Sequence, residues 1–224
     1  MGGNINFIKN FILGFVPPHI HNIYRAIKKI IMTPFKRDEE IKLFDGEEEL
    51  FIDLINKCQI YGEYGCGDST IYVANNTKKE IISIDNSIDW INKVKTEIPK
   101  NRLIDLHYTD MGDILQWGVP KSFKYKENFK DYFEYMWRRD RTPDLVLIDG
   151  RFRVACFLTT LLYAEKGTVV LFDDYTDREI YHIVEKFIKP IQKSRRQAVF
   201  KVEESFNEKE LKKYISKFEY NFWC

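Results

Sequence analysis

Residues 58–69 of the chain read Cys-Gln-Ile-Tyr-Gly-Glu-Tyr-Gly-Cys-Gly-Asp-Ser, and this stretch decides the fold. The pattern predicts a short strand over 58–61, a glycine-rich loop, and a helix that begins at Asp68 or Ser69. A strand that turns directly into a helix through such a loop is typical of the first unit of a nucleotide-binding α/β sheet. Glycine at Gly65 and Gly67 lets the backbone turn tightly and approach a ligand closely.

Strands and helices alternate along the rest of the chain. This alternation predicts an α/β protein with a Rossmann-like, doubly wound, mostly parallel seven-stranded sheet and helices on both faces. The further strands are predicted at 80–84, 103–108, 145–148, 168–172, 197–203 and 218–222. The helices are predicted at 47–57, 69–75, 87–97, 152–164, 179–189 and 208–215.

The charge is distributed unevenly along the chain. The 224 residues contain 35 lysines and arginines and 34 acidic residues. This near balance argues against a nucleic-acid-binding protein, because such domains are usually clearly basic. Six of the basic residues and no acidic residue lie within 1–37, where two short amphipathic helices are predicted. We therefore divide the chain into a basic helical N-terminal extension, 1–44, and an α/β domain, 45–224.

The basic extension has three open interpretations. It is an arm that forms a homodimer or covers the substrate, an interfacial helix in peripheral contact with a membrane, or a contact for nucleic acid. The four cysteines form no C-x-x-C pair, and no apolar run reaches the roughly 18–20 residues that span a bilayer. We expect a cytoplasmic protein with reduced thiols, located at a membrane surface if residues 1–37 bind one.

Acidic residues follow nearly every predicted strand. Ligands of doubly wound sheets bind beyond the carboxyl ends of the strands, so these positions are candidates for a site. Turn formation and helix capping account for any one of them but poorly for the whole set. The set comprises Asp85, Asp110, Asp113, Asp149, Asp173 and Asp174.

The loop differs from a dinucleotide-binding fingerprint. Thr70 stands where the third glycine of that fingerprint is expected, and Glu63 precedes the loop. A carboxylate there suits a cationic amino group better than a pyrophosphate. Asp85 comes 18 residues after Gly67, close to the spacing of about 20 for an acid that binds ribose hydroxyls. These features predict a ligand with a ribose and an ammonium group but no diphosphate.

At these residues the sequence resembles the class I S-adenosylmethionine-dependent methyltransferases. Their first motif matches 63–69, and their acid at the end of the second strand matches Asp85. The resemblance implies S-adenosylmethionine as the cofactor, with Asp113, or else Asp110, contacting the adenine amine. The loop residues that it implies as cofactor-binding are Glu63, Gly65, Gly67 and Ser69.

The segments 144–150 and 169–175 resemble small-molecule O-methyltransferases of the catechol and macrolide-sugar kinds. In that group, acids after the fourth and fifth strands hold a divalent ion, which implies Mg²⁺ on Asp149, Asp173 and Asp174. The chain departs from the pattern at Arg151 and Arg153, which either neutralise Asp149 or grip an anionic substrate. Metal-free transfer with Asp149 or His182 as general base is therefore the alternative.

The resulting prediction is methyl transfer to a hydroxyl of a small molecule, a sugar or glycan unit in the first instance. We expect Asp149, Asp174 and His182 to be catalytic. Residues expected to bind the substrate are Arg151, Arg153, Tyr175 and Arg178. Two alternatives from other classes stay open, an NAD-type oxidoreductase and a non-catalytic Rossmann-like binding module.

The aromatic stretch 117–143 lies between the third and fourth predicted strands. It is either a substrate cover or a helix that packs its aromatic side chains on the sheet. His107 is expected to be a structural residue.

Overall fold

The computed structural model describes residues 43–45 and 48–223, so nearly all of the predicted extension 1–44 lies outside the described residues. Helices and strands alternate through the described part. The α-helices are α1 (Glu48–Lys57), α2 (Asp68–Asn76), α3 (Ile88–Glu97), α4 (Phe129–Glu134), α5 (Arg153–Tyr163) and α6 (Glu208–Phe218). The strands are β1 (Ile60–Tyr64), β2 (Glu80–Asp85), β3 (Ile104–Tyr108), β4 (Leu145–Ile148), β5 (Val169–Phe172), β6 (Gln192–Ser194) and β7 (Gln197–Lys201).

The strands form one seven-stranded sheet in the order β3-β2-β1-β4-β5-β7-β6. The first five strands in the chain are parallel, whereas β7 pairs antiparallel with both β5 and β6. The predicted α/β class with a mostly parallel seven-stranded sheet is confirmed. The strand order reverses between β1 and β4, so the switch point lies where the loops after these two strands meet.

The centre of the sheet is buried on both faces, and strands β4 and β5 are apolar at every position. Val146 and Ile148 of β4 pack into one hydrophobic cluster, and Leu145 and Leu147 pack into the other, on the opposite face. Successive side chains of a strand point to opposite faces, and a continuous apolar run therefore supplies both cores.

The aromatic stretch 117–143 packs into the core. Phe129, Tyr132 and Phe133 of α4 are fully buried, and the Phe129 ring lies 5.0 Å from the Phe152 ring. His107 stacks on Tyr135 at 3.5 Å, which confirms its structural role. These contacts favour the packing interpretation of the stretch over the substrate cover.

Two predicted elements are wrong at the C-terminal end. The segment 218–222 is not a strand, because α6 continues to Phe218 and the buried Phe222 packs 6.1 Å from Phe152. The strand that the sequence analysis did not predict is β6. It is polar and mostly exposed, so no hydrophobic pattern in the sequence indicates it. The helix predicted over 179–189 is a 3-10 helix over Glu179–Lys186.

Within the part of the chain that the structure describes, no helix is long and apolar enough to cross a membrane. The cysteines described there, Cys58, Cys66 and Cys156, are free and buried. Burial raises the pKa of the Cys66 thiol, which lies in the glycine-rich loop. Cys66 is therefore a packing residue of that loop rather than a nucleophile.

Candidate functional site

The glycine-rich loop after β1 packs directly on the loop after β4. Gly65 has a φ of 95°, and a Cβ there would lie 2.7 Å from the Cα of Gly150. A Cβ on Gly150 would in turn overlap the hydroxyl of Tyr132. Glycine is required at both positions, because the two backbones touch and Gly65 has a left-handed conformation. This contact joins the predicted cofactor loop to the residues that follow Asp149.

Gly67 is not constrained in the same way. Its φ is 175°, which any residue adopts, and a Cβ there would meet only the Trp90 ring at 3.8 Å. The described part of the protein thus leaves space beside Gly67. Trp90, which the sequence analysis did not single out, keeps 41% of its surface exposed next to that space.

Glu63 organises the loop from inside β1. Its carboxylate is fully buried and accepts hydrogen bonds from the hydroxyls of Tyr61, Ser69, Thr70 and Ser83. These four hydroxyls occupy both oxygens, and burial raises the pKa of Glu63. The strand runs to Tyr64 rather than ending at Tyr61 as predicted, which places Glu63 within the sheet. Glu63 and Ser69 therefore fix the loop, and a direct contact of Glu63 with a cofactor amine stays a prediction.

Thr70 explains the missing third glycine. Its hydroxyl donates to Glu63 and accepts the backbone N–H of Gly67 at 3.0 Å. Glycine at this position would remove both hydrogen bonds. The residue that breaks the dinucleotide fingerprint is thus the one that ties the loop to β1 and α2.

Asp85 ends β2 beside the loop. Its Oδ1 accepts the backbone N–H of Ser87 at 2.6 Å, and its surface is 7% exposed. Burial raises the pKa of Asp85 to about 7, although the backbone amides of Ser87 and Cys66 lower it. The effect of Cys66 shows that the acid lies close to the glycine-rich loop. The predicted ribose acid and the predicted loop are therefore neighbours.

Asp110 and Asp113 lie after β3 and face solvent. Asp110 accepts the backbone N–H of Gly112 at 2.9 Å, whereas the side chain of Asp113 is 87% exposed and lies 4.0 Å from Lys121. The same segment reaches the end of β2, because Asn86 donates to the carbonyl of Gly118 at 2.7 Å. The contact of either acid with an adenine amine stays a prediction.

Asp149, Asp173 and Asp174 come together as predicted. Each offers a carboxylate oxygen within 4.8 Å of the others. The backbone of Asp149 donates to Tyr64 at 3.0 Å, and that of Asp173 donates to Ile148 at 3.1 Å, so both are fixed to strand ends. Asp174 has a left-handed φ of 56°, an unfavourable conformation for a residue with a side chain.

Three arginines already neutralise these carboxylates. Asp173 is fully buried and accepts from Nε of Arg196 at 3.0 Å, from its Nη2 at 2.7 Å, and from Gln197 at 3.0 Å. Arg153 lies 2.9 Å from Asp149 and 3.3 Å from Asp174. Arg178 lies 2.6 Å from Asp174. Sequence analysis missed Arg196 and Gln197, because they are 23 and 24 residues from Asp173.

This arrangement does not fit Mg²⁺ held by all three acids. A divalent ion would have to displace the bidentate Arg196 from a buried carboxylate, and the other two acids already accept from guanidinium groups. The charge that the ion would supply is present on Arg153, Arg178 and Arg196. The residues present therefore do not fit the predicted Mg²⁺ ion.

For the methyl transfer that the resemblance implies, we expect no sensitivity to metal removal, because the guanidinium groups take the place of the ion. Turnover of the full chain in excess EDTA should equal that in millimolar Mg²⁺. The readout is release of S-adenosylhomocysteine. Loss of turnover in EDTA that returns with Mg²⁺ would contradict the arginine-neutralised site.

Asp149 has the properties of a base. Burial raises its pKa to about 7 against the opposing effect of Arg153, and the Asp173 and Asp174 carboxylates add to the rise. Its side chain keeps 33% exposure, so a ligand can reach it. A carboxylate with a pKa near neutral can accept a proton and release it again under ordinary conditions.

The two arginines after Asp149 have different surroundings. Arg153 is 4% exposed and donates to the carbonyls of Gly150 and Asp173 as well as to Asp149. It therefore neutralises acids within the fold and is not free to grip a substrate, as the sequence had allowed. Arg151 is half-buried, and burial together with the Arg153 charge lowers its pKa.

The other residues predicted to bind the substrate or to be catalytic lie within or just before the 3-10 helix Glu179–Lys186. Tyr175 is fully buried and donates to Glu185 at 3.0 Å, so its hydroxyl is not free for a substrate. Arg178 is 44% exposed and also donates to the Tyr181 hydroxyl. A ring nitrogen of His182, Nε2, lies 3.1 Å from the carbonyl of Tyr175. His182 thus borders the acid cluster without an ion pair to it.

The arginines of the 117–143 stretch lie elsewhere. Arg139 pairs with Asp105 at 2.7 Å, and Arg141 pairs with Glu80 at 2.5 Å, at the start of β3 and β2. This is the amino-terminal edge of the sheet, opposite the strand ends that carry the candidate site.

The chain is similar to solved methyltransferase structures. No protein-family profile and no curated protein matches it. A methyltransferase-like protein from Silicibacter pomeroyi shares 29% identity at a TM-score of 0.72, over 82% of this chain and 99% of that one. The cofactor-bound Rv0187 from MTB shares 13% at a TM-score of 0.51, over 88% and 97% of the two chains. An O-methyltransferase from Bacillus cereus in complex with SAH shares 12% at 0.47, over 85% and 93%.

Four observations agree with the resemblance to S-adenosylmethionine-dependent methyltransferases. The glycine-rich loop is held by Glu63 and Thr70, and Asp85 ends β2 beside it. The strand order places the loop at the switch point of the sheet and Asp85 on the neighbouring strand β2. The chain covers almost the whole length of its 29% identical neighbour. Together these observations support the similarity of the chain to the class I S-adenosylmethionine-dependent methyltransferases.

Proposed function

We propose that the chain transfers the methyl group of S-adenosylmethionine to a hydroxyl of a small molecule, a sugar or glycan unit in the first instance. The observation that carries this proposal is the backbone contact between Gly65 and Gly150. It brings the cofactor loop next to Asp149, a partly exposed carboxylate whose pKa is about 7. This contact supports a site in which the methyl donor and the base are bound by adjacent loops.

The cofactor residues follow from the fold and the family. The loop leaves room for the cofactor beside Gly67, and we assign Asp85, at the end of β2, to the ribose hydroxyls. The exposed Trp90 ring is a further candidate contact. S-adenosylmethionine supplies a methyl group bound to a sulfonium sulfur. When a nucleophile takes the methyl group, the leaving group is S-adenosylhomocysteine. The acceptor lies on the Asp149 side of the Gly65–Gly150 contact.

Asp149 acts as the general base. As the acceptor oxygen forms its bond to the methyl carbon, the carbon–sulfur bond breaks and its electron pair stays on sulfur. The hydroxyl proton passes to the Asp149 carboxylate, so the products are a methyl ether, S-adenosylhomocysteine and a protonated Asp149. Arg153 keeps the base oriented through its 2.9 Å contact. Holding the reacting atoms in line supplies much of the remaining acceleration.

A base at this position supports oxygen rather than nitrogen as the acceptor atom. A hydroxyl must lose its proton as it attacks, whereas a neutral amine attacks through its lone pair without a base. The acid cluster also supports oxygen as the acceptor atom. Arginines already neutralise Asp173 and Asp174, so the charge of a cationic amine substrate is not needed there.

Substitution of Asp85 by Ala is expected to weaken binding of S-adenosylhomocysteine by at least about tenfold, which corresponds to about 1.4 kcal/mol. The reason is the loss of the only acid at the end of β2 beside the loop. Titration calorimetry measures the affinity, with NAD as a second ligand. Equal affinity of both proteins, or tighter binding of NAD than of S-adenosylhomocysteine, would refute the cofactor assignment. Cofactor binding without turnover on any acceptor would point to a binding module.

A further inference from the structure

The three acids of the cluster have arginine partners other than Arg151. Asp149, Asp173 and Asp174 supply three carboxylates, and Arg153, Arg178 and Arg196 each pair with at least one of them. Among the described arginines around this cluster, Arg151 makes neither an ion pair nor a side-chain hydrogen bond. Its Nε is buried and has no hydrogen-bond partner. Arg151 is therefore the arginine at this cluster without an acid partner, whereas Arg196 pairs with Asp45 as well as with Asp173.

The surroundings of Arg151 contain further positive charge. Burial lowers the pKa of Arg151, and the charges of Arg153 and Arg178 lower it further. Its backbone N–H donates to the Tyr132 hydroxyl at 3.2 Å, which fixes the start of the side chain. A half-buried guanidinium beside two other cations, with no counterion, is unfavourable unless a ligand supplies the missing negative charge.

The position of Arg151 places this charge on the acceptor side. It follows Asp149 by two residues and comes directly after Gly150, which contacts the cofactor loop. A guanidinium presents paired N–H groups that match the oxygens of a carboxylate or a phosphate. An anion bound there lies next to the base that takes the acceptor proton.

We propose that Arg151 binds an oxyanion of the methyl acceptor, and that the acceptor is therefore an acidic molecule such as a sugar acid or a sugar phosphate. This inference rests on the proposed function and narrows its substrate class. Arg151 is the specificity-determining residue, whereas Arg153 neutralises acids within the fold. A neutral sugar leaves the Arg151 charge uncompensated and binds more weakly.

The test uses the full chain saturated with S-adenosylhomocysteine. Inorganic phosphate, glucuronate, glucose 6-phosphate and glucose are titrated into wild type, Arg151→Gln and Arg151→Lys by calorimetry. We expect phosphate and at least one acidic sugar to bind the wild type about tenfold or more tightly than glucose. Arg151→Gln should remove this difference, and Arg151→Lys should restore part of it because the charge returns without the paired N–H groups. The two acidic sugars distinguish a carboxylate from a phosphate.

Arg141→Gln is the matched control, because this exposed arginine lies at the opposite edge of the sheet. It should bind every probe as the wild type does. Arg151→Gln should melt no lower than the wild type without ligand, since it removes an unpartnered charge. The proposal is wrong if no anion binds more tightly than glucose, or if Arg151→Gln retains the difference. It is also wrong if Arg151→Gln instead weakens S-adenosylhomocysteine, because the cofactor carboxylate would then be the partner.

Failure of this inference can be distinguished from failure of the proposed function. If S-adenosylhomocysteine does not bind the wild type, the cofactor assignment fails. Titration of phosphate into the chain alone then still measures the contribution of Arg151. If S-adenosylhomocysteine binds and the anions do not, the cofactor assignment stands and the acidic acceptor is excluded.

Discussion

Substitution of Asp149 by Asn is expected to lower kcat by about 10²–10⁴-fold, the range for loss of a general base. Asparagine keeps an oxygen that accepts from Arg153, so the surrounding hydrogen bonds persist while the proton acceptor is lost. The affinity for S-adenosylhomocysteine should stay within about twofold, since Asp149 acts on the acceptor. Turnover is measured as S-adenosylhomocysteine release with the acidic sugars that bind.

The same base sets the pH dependence. Burial raises the pKa of Asp149 to about 7, so the carboxylate is largely protonated below that pH and cannot accept a proton. At saturating cofactor, kcat should rise about tenfold per pH unit below 7 and level off above it. The Asp149→Asn variant should lose this rise. Cofactor affinity is measured across the same range, because the pKa of Asp85 is also raised to about 7.

Glu203→Gln is the control for the acid-to-amide change. Glu203 is 69% exposed and lies outside the site, so its variant should retain both the rate and the pH profile. A pH profile of Asp149→Asn that still rises through 7 would assign the base to another group. His182 would then be the first residue to test.

Substitution of Gly65 by Ala is expected to lower the free energy of unfolding by roughly 2–4 kcal/mol. The new Cβ would require a left-handed conformation at a φ of 95° and would lie 2.7–2.9 Å from backbone atoms of Gly150 and Asp149. Backbone atoms cannot move aside as the end of a flexible side chain can. Urea denaturation followed by circular dichroism measures the change.

Gly67→Ala is the matched variant for this prediction. Its Cβ meets only a ring at 3.8 Å and its φ is extended, so stability should change by less than about 0.5 kcal/mol. Cofactor affinity should nevertheless fall by about tenfold or more, because the added methyl group fills the space left for the ligand. Equal loss of stability in both variants would contradict the distinction between the two glycines.

The sequence predicted the features that depend on local patterns. Continuous apolar runs located the parallel strands, and the glycines with Asp85 located the cofactor side of the site. Acids at strand ends predicted that Asp149, Asp173 and Asp174 would meet, because carboxyl ends of parallel strands share one edge. The pattern also gave Arg151 and Arg153 as residues near Asp149.

The features that sequence reasoning missed depend on contacts between distant segments. Arg196 and Gln197 reach Asp173 only because β7 inserts antiparallel beside β5. The sequence could not assign different roles to Arg151 and Arg153, since their difference is one of burial and partners. Alternating aromatic residues near 218–222 resembled a strand, but Phe222 packs on Phe152 instead of pairing in the sheet.

The position of β7 has a consequence for the order of assembly during synthesis. Asp173 is fully buried, and its partners Arg196 and Gln197 lie at the start of β7, which follows β5 in the chain. A nascent chain that has emerged only through the 3-10 helix at Glu179–Lys186 contains both acids of β5's end but lacks Arg196. It must leave Asp173 protonated or in water. The site is therefore completed only after β7 has been synthesised, and fragments that stop before β7 should leave Asp173 without its arginine and glutamine partners.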